Sequence, residues 1–143
     1  MTDSVTPPMS TDAPRVDESL VTYTNVIYAL HSLSVLIGLT TFHTVVGMFI
    51  WGIPSIVAVI MNYARRSATH GTYLESHFRW QIRTFWYAVL WSFVIWAVSL
   101  PLLFILIGFG TLWIGHVALS IWIIYRIARG WLAVRDKRAM YLP

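Results

Sequence analysis

Two histidines sit where an ionisable side chain is costly. His31 and His116 fall in long stretches free of Asp, Glu, Lys and Arg, Ser19 to Ala64 and Thr84 to Tyr125. Inside a membrane such a residue marks function by default. Two imidazoles on different helices are an axial-ligand set for haem, or two stations of a proton relay. Gly47, Gly52 and Gly115 would give a macrocycle room. The competing role is structural, with each ring neutral and hydrogen-bonded to a neighbouring Ser, Thr or carbonyl. Nothing else in the sequence points to haem, so the structural role is the expectation and no cofactor is assigned. Asn25 and Asn62 read the same way, as polar contacts between helices.

Other chemistry finds less support. His43, His70 and His77 lie near expected membrane boundaries, and none pairs at i, i+4 with another His or a carboxylate, so no metal site is assigned. The chain has 0 Cys, which excludes disulfides, thiolate metal sites and cysteine nucleophiles. Hydrolysis or group transfer would need paired carboxylates, or a nucleophile beside a base. After Glu18 the acids are Glu75 and Asp136, far apart and flanked by arginines. No phosphate-binding glycine loop or HExxH is present. An enzyme is not expected.

The richest stretch runs from Gly71 to Trp86. Glu75, Arg79 and Arg83 recur every four residues and share one helical face, while Leu74, Phe78, Ile82 and Phe85 line another. No Pro or Gly interrupts Thr72 to Leu100, so one helix can run from this segment into the next apolar span. Such an amphipathic helix is an interfacial anchor by default. The sharper alternative is a cytoplasmic docking surface in which Glu75, His77, Arg79, Gln81 and Arg83 meet a partner.

Tyr73 to Trp86, preceded by Ile60-Met-Asn-Tyr-Ala-Arg-Arg66, resembles the MamF-like family of small bacterial membrane proteins. That family is distantly similar to the Tic-type component of the chloroplast inner-envelope import machinery. The resemblance covers about Tyr23 to Arg129. It implies a four-helix membrane fold, a role in membrane organisation, organelle assembly or protein targeting, and no enzymatic activity. Asn62, Glu75, His77, Arg79, Gln81 and Arg83 are carried over as motif positions without a mechanism.

The elements that position these residues follow from composition. Of 143 residues, 57% are hydrophobic and 11% charged, less than half the charge of about 25% in an average soluble domain. Mean hydropathy is +0.66. Each charge-free stretch would extend about 60 Å or more as helix, enough for two crossings of a hydrocarbon core about 30 Å thick. The expected fold is therefore all-α, with four transmembrane helices in two hairpins and an amphipathic cytoplasmic segment leading into the third. The helices are placed at about Tyr23–Leu39, Thr44–Tyr63, Thr84–Ile107 and Thr111–Ala128. Turns are expected at Thr40–His43 and Gly108–Gly110. The first helix is the most diluted by polar residues and needs neighbours. The second is interrupted by Gly52 and Pro54.

Residues 1–18 are acidic and rich in Pro, Ser and Thr, a composition that cannot bury enough apolar surface to order itself. Without the basic start and apolar core of a signal peptide, they read as a retained cytoplasmic tail. Residues 130–143 read as a short basic tail. Arg65, Arg66, Arg79 and Arg83 lie between the second and third helices, and Arg126, Arg129, Arg135, Lys137 and Arg138 follow at the end of the fourth. By the positive-inside rule the middle loop and both termini are cytoplasmic in a bacterial inner membrane. The same placement accounts for the pI of about 9.8 without nucleic acid. The expected partners are anionic lipid headgroups and a protein partner or a second copy. The leading function is a non-enzymatic scaffold or assembly factor. A small homo-oligomeric pore or transport accessory is the alternative, and a haem-binding electron carrier a distant third.

Overall fold

The computed structural model describes residues 16–41 and 52–140. Among them the chain is all-helical. α1 (Glu18–Thr41), α2 (Ile53–Ala64), α3 (Tyr73–Leu102) and α4 (Ile107–Arg135) follow in order, with short 3-10 turns at Arg66–Thr69 and Leu103–Ile105. α1, α3 and α4 are long and apolar enough to cross a membrane. α2 is 12 residues, about 18 Å of helix. The expected beginning of that second span, residues 44–51, and residues 42–43 of the first expected turn lie outside the described residues.

α1 starts earlier than expected, and Asp17 is the reason. Its carboxylate accepts from the Ser19 N–H at 2.9 Å and the Ser19 hydroxyl at 2.7 Å. Its carbonyl accepts from the Leu20 N–H at 2.9 Å. An acidic cap of this kind satisfies amides that open a helix. α1 also continues through Thr40, whose hydroxyl donates to the Leu36 carbonyl at 2.8 Å. Its polar residues are accommodated because the helix is central, packed on α2, α3 and α4. Thr24 and Ser32 donate back to the carbonyls of Leu20 and Tyr28. α2 begins at Ile53 with Pro54 in its first turn, where a missing N–H costs nothing.

α3 is one uninterrupted helix of 30 residues, about 45 Å long. It joins the amphipathic segment to the apolar span. The reversal into α4 differs from expectation. The turn occupies Leu103–Leu106, and Gly108 and Gly110 lie inside α4. Leu106 takes φ 62°, a left-handed conformation that costs a non-glycine residue about 1 kcal/mol. Gly108 serves close approach instead. A Cβ there would fall 2.4 Å from the Leu103 nitrogen and 2.5 Å from the Ser99 carbonyl oxygen.

α3 and α4 run antiparallel, joined from Thr84–Arg126 at one end to Ser99–Thr111 at the other. α1 and α2 are likewise antiparallel, linked by Tyr23–Met61 and His31–Ser55. Two apolar clusters hold the pairs together. Ile27, Ala58 and Phe78 join α1, α2 and α3, while Tyr28, Val35, Leu119, Ile123, Ile127 and Val134 join α1 to α4. Tyr28 fits because position 130 is glycine. A Cβ on Gly130 would lie 2.4 Å from the tyrosine oxygen.

The opposite surfaces are apolar and open. Only 6% of the apolar window of α3 is buried within the chain. Phe93, Phe104, Leu106, Ile114 and Ile121 are all exposed. A contiguous face of this kind is stable only against lipid or another apolar surface.

Candidate functional site

The residues singled out in Tyr73–Trp86 separate into an exposed row and a buried one. Glu75, Arg79 and Arg83 form the accessible row. Glu75 turns back onto its own loop. One carboxylate oxygen accepts from Arg79 Nη2 at 2.9 Å and lies 3.5 Å from His70 Nδ1, and the other accepts from the Gly71 N–H at 3.2 Å. These bonds fasten the loop to the first turn of α3, near the helix N-terminus where a negative charge is favoured. Arg79 and Arg83 remain exposed, with Arg83 over the Tyr87 ring at 5.9 Å.

His77 and Gln81 were expected on the docking surface with that row. They are instead inaccessible, at 0% and 1% exposure. Each follows an exposed residue by two positions, about 200° around a helix of 3.6 residues per turn. The first half of the apolar stripe, Leu74 and Phe78, is buried in the chain's own core, while Ile82 and Phe85 are half-buried.

His77 lies at the centre of a polar stitch. Its Nε2 is 2.8 Å from the Arg138 carbonyl oxygen, and its Nδ1 is 3.0 Å from the Tyr28 hydroxyl. A carbonyl can only accept, so Nε2 carries the proton and, in the neutral ring, Nδ1 accepts from Tyr28. The imidazole thus joins α1, α3 and the segment beyond α4. That segment leaves the helix through Lys137 at φ 52°. Its Met140 N–H donates to the Ser76 hydroxyl at 2.8 Å, and the Met140 side chain is buried. Gln81 sits beside the Tyr28 hydroxyl. Among the described residues, the side-chain amides of Gln81 and of Asn62 on α2 are buried without hydrogen-bond partners.

A second stitch crosses the α3–α4 seam. Trp80 Nε1 donates to the Arg126 carbonyl at 3.2 Å, and Arg126 Nε donates to the Thr84 hydroxyl at 2.8 Å. The Thr84 hydroxyl in turn donates to the Trp80 carbonyl at 2.7 Å. The Arg126 guanidinium lies 3.6 Å from the Trp80 ring centroid and 5.0 Å from that of Trp122.

The two histidines of the charge-free stretches go to different places. His31 Nδ1 lies 3.1 Å from the Ser55 hydroxyl, and its buried Nε2 has no hydrogen-bond partner among the described residues. His31 lines a cavity of about 270 Å³ together with Ser34, Ser55, Thr84 and Ser92. His116 Nδ1 donates to the Leu112 carbonyl at 2.9 Å, and its ring meets Trp96 edge-on. His116 is not among the residues that line the cavity at His31. Asn25 is half-buried, and none of the interhelical bonds described above runs through it.

Tyr28, Trp80, Thr84 and Arg126 were not singled out in the sequence. Their partners are 42–49 positions away, and separations of that size leave no periodic signal. Arg126 did mark the end of a charge-free stretch, which reads only as topology. The fold and its apolar exterior place the chain in the class of all-helical proteins with several helices fit to span a membrane. Comparison with known proteins finds no matching family model, no matching curated protein and no matching solved structure.

Proposed function

We propose that the chain is a non-enzymatic, four-helix integral protein of a bacterial cytoplasmic membrane, a scaffold or assembly factor that presents its arginine-rich end to a partner. In this reading the helices form two membrane hairpins and both termini are cytoplasmic, as the charge distribution favours. The resemblance of Tyr73–Trp86 to the MamF-like family, itself distantly similar to the Tic-type import component, adds a role in membrane organisation or protein targeting. The observation that carries the proposal is the contrast within α3. Its inner faces are tied to α1, α4 and the C-terminal segment, leaving Arg79 and Arg83 exposed on a pre-organised support. Rigid presentation lowers the ordering cost of docking.

The test is recovery of partners after mild-detergent purification at native expression. Arg79→Lys keeps charge but loses the planar fork, so docking predicts weaker recovery. Anionic headgroups respond mainly to charge, so a membrane anchor predicts no change. Wild-type recovery with both Arg79→Lys and Arg79→Gln would defeat the docking role.

The cavity at His31 favours a second reading, a small pore or transport accessory. Its hydroxyls and free imidazole nitrogen supply polar groups at membrane depth. Solute flux in liposomes, abolished by His31→Leu, is the measurement that would promote it.

A further inference from the structure

Three arginines converge across the α3–α4 seam with no carboxylate of the described residues among them. Arg126 is half-buried between Trp80 and Trp122. Arg129 places its guanidinium 5.7 Å from the same Trp80 ring. Arg83 approaches from α3, and the charges of Arg83 and Arg129 are close enough to Arg126 to repel it. The four described acids are engaged elsewhere or remote. Glu75 pairs with Arg79 and Asp136 with Arg135 and Arg138, while Asp17 is held by Ser19 at the start of α1, beside Glu18. None of the ion pairs reaches Arg83, Arg126 or Arg129.

Like charges gathered on one surface without a counterion cost free energy, and an anion seated among them removes that cost. Arg126 is also built to receive one. Thr84 holds Nε, and the Trp80 face fixes the plane of the guanidinium. Among the described residues its two terminal nitrogens have no hydrogen bond, and they form the fork that matches two oxygens of a phosphate. The depth is equally specific. Arg83 and Arg126 are the charged residues that bound the long apolar stretch Thr84–Tyr125. Trp86, Tyr87 and Tyr125 beside them are exposed, as aromatics are at a headgroup boundary.

We propose that Arg83, Arg126 and Arg129 form a binding site for the phosphate of an anionic membrane phospholipid, with Arg126 as the oriented fork and the other two as charge partners. The acyl chains of that lipid would lie along the apolar outer faces of α3 and α4. The site shares with the docking row Arg83 and the membrane-spanning reading. It assigns Arg83 to lipid and leaves Arg79 to a partner.

The experiment reconstitutes the full chain in vesicles of phosphatidylcholine containing graded phosphatidylglycerol, and measures lipid retained after extraction by native mass spectrometry. Saturable retention of phosphatidylglycerol over phosphatidylcholine is expected. Arg126→Lys should cut it about tenfold, and Arg83→Gln about as much, while Arg66→Gln and Arg135→Gln, which remove equal charge, should leave it unchanged. Arg83 and Arg129 are exposed, so their Gln variants report even if a change at Arg126 impairs folding. Equal losses in all the Gln variants would overturn the site in favour of diffuse surface charge. Retention of both lipids alike would overturn the requirement for an anion. Displacement by millimolar inorganic phosphate would assign the site to a soluble anion instead of lipid. Failure to enter vesicles would strike the membrane-spanning reading itself, whereas entry without lipid preference would strike the site alone.

Discussion

The arginine-rich end and the far end of the bundle are held by different chemistry. At the first, Tyr28, His77, the Arg138 carbonyl, Ser76 and Met140 link α1, α3 and the segment beyond α4 by directional bonds. At the second, Leu103–Leu106 turns the chain through exposed leucine, phenylalanine and isoleucine, and the nearby polar tie between helices is Thr111 to Ser99 at 2.9 Å. Among the described residues, one end is held by a network of directional bonds and the other by apolar packing with that one tie. The docking role proposed above falls at the stitched end.

The largest expected effect is at the centre of the stitch. His77→Ala removes a fully buried ring and leaves the Tyr28 hydroxyl and the Arg138 carbonyl without their partner. Lost packing and two stranded polar groups together should cost about 3 kcal/mol. At the far end Phe104 is 92% exposed, so Phe104→Ala should stay within about 0.5 kcal/mol. Thermal unfolding of both variants in one detergent compares the two ends directly. Equal losses would abolish the distinction.

Gly130→Val comes next. The space occupied by its Cβ belongs to Tyr28, whose ring also stacks on Trp131 at 6.5 Å. Overpacking of this kind costs about 2 kcal/mol. Pairing it with Tyr28→Ala, which empties that space, should make the double variant less destabilised than the two single losses added together. Simple additivity would show that the close approach is unimportant.

These two positions also show what a sequence can disclose. The four helices were legible because charge-free length is a direct physical requirement of a membrane, and the exposed row Glu75–Arg79–Arg83 because helical spacing is fixed. The burial of His77 and Gln81 was not, since it depends on which face meets α1, and that choice is made by residues 49 positions distant. Gly108 misled for a related reason. Glycine permits both a turn and a close approach, and only the position of Ser99 and Leu103 decides between them.

Thr111→Val should act on the far end by a smaller amount. It removes the donor to Ser99 while keeping shape, and interhelical hydrogen bonds in membranes average about 0.6 kcal/mol. A loss in the melting curve comparable to that of His77→Ala would mean that the far end is also stitched, and the contrast between the two ends would narrow accordingly.

The smallest effect is local and depends on pH. Donation from the Ser19 hydroxyl and N–H holds the Asp17 carboxyl below the usual carboxylate range. A group whose native value is depressed lends its stabilisation above the unfolded value and loses it as pH falls through the native one. The first turn of α1 should thus be intact at neutral pH and begin to fray below pH of about 4, the ordinary value for aspartate. Protection of the Ser19 and Leu20 amides from hydrogen exchange, corrected for their intrinsic rates, should fall in that window. In Asp17→Asn it should be weaker at neutral pH and flat across the window. Because Asp17 is exposed and shares no hydrogen bond with the His77 stitch, the melting temperature should scarcely move in either case. A global shift would instead couple the α1 terminus to the stitched end, making the helix start part of the same cooperative unit.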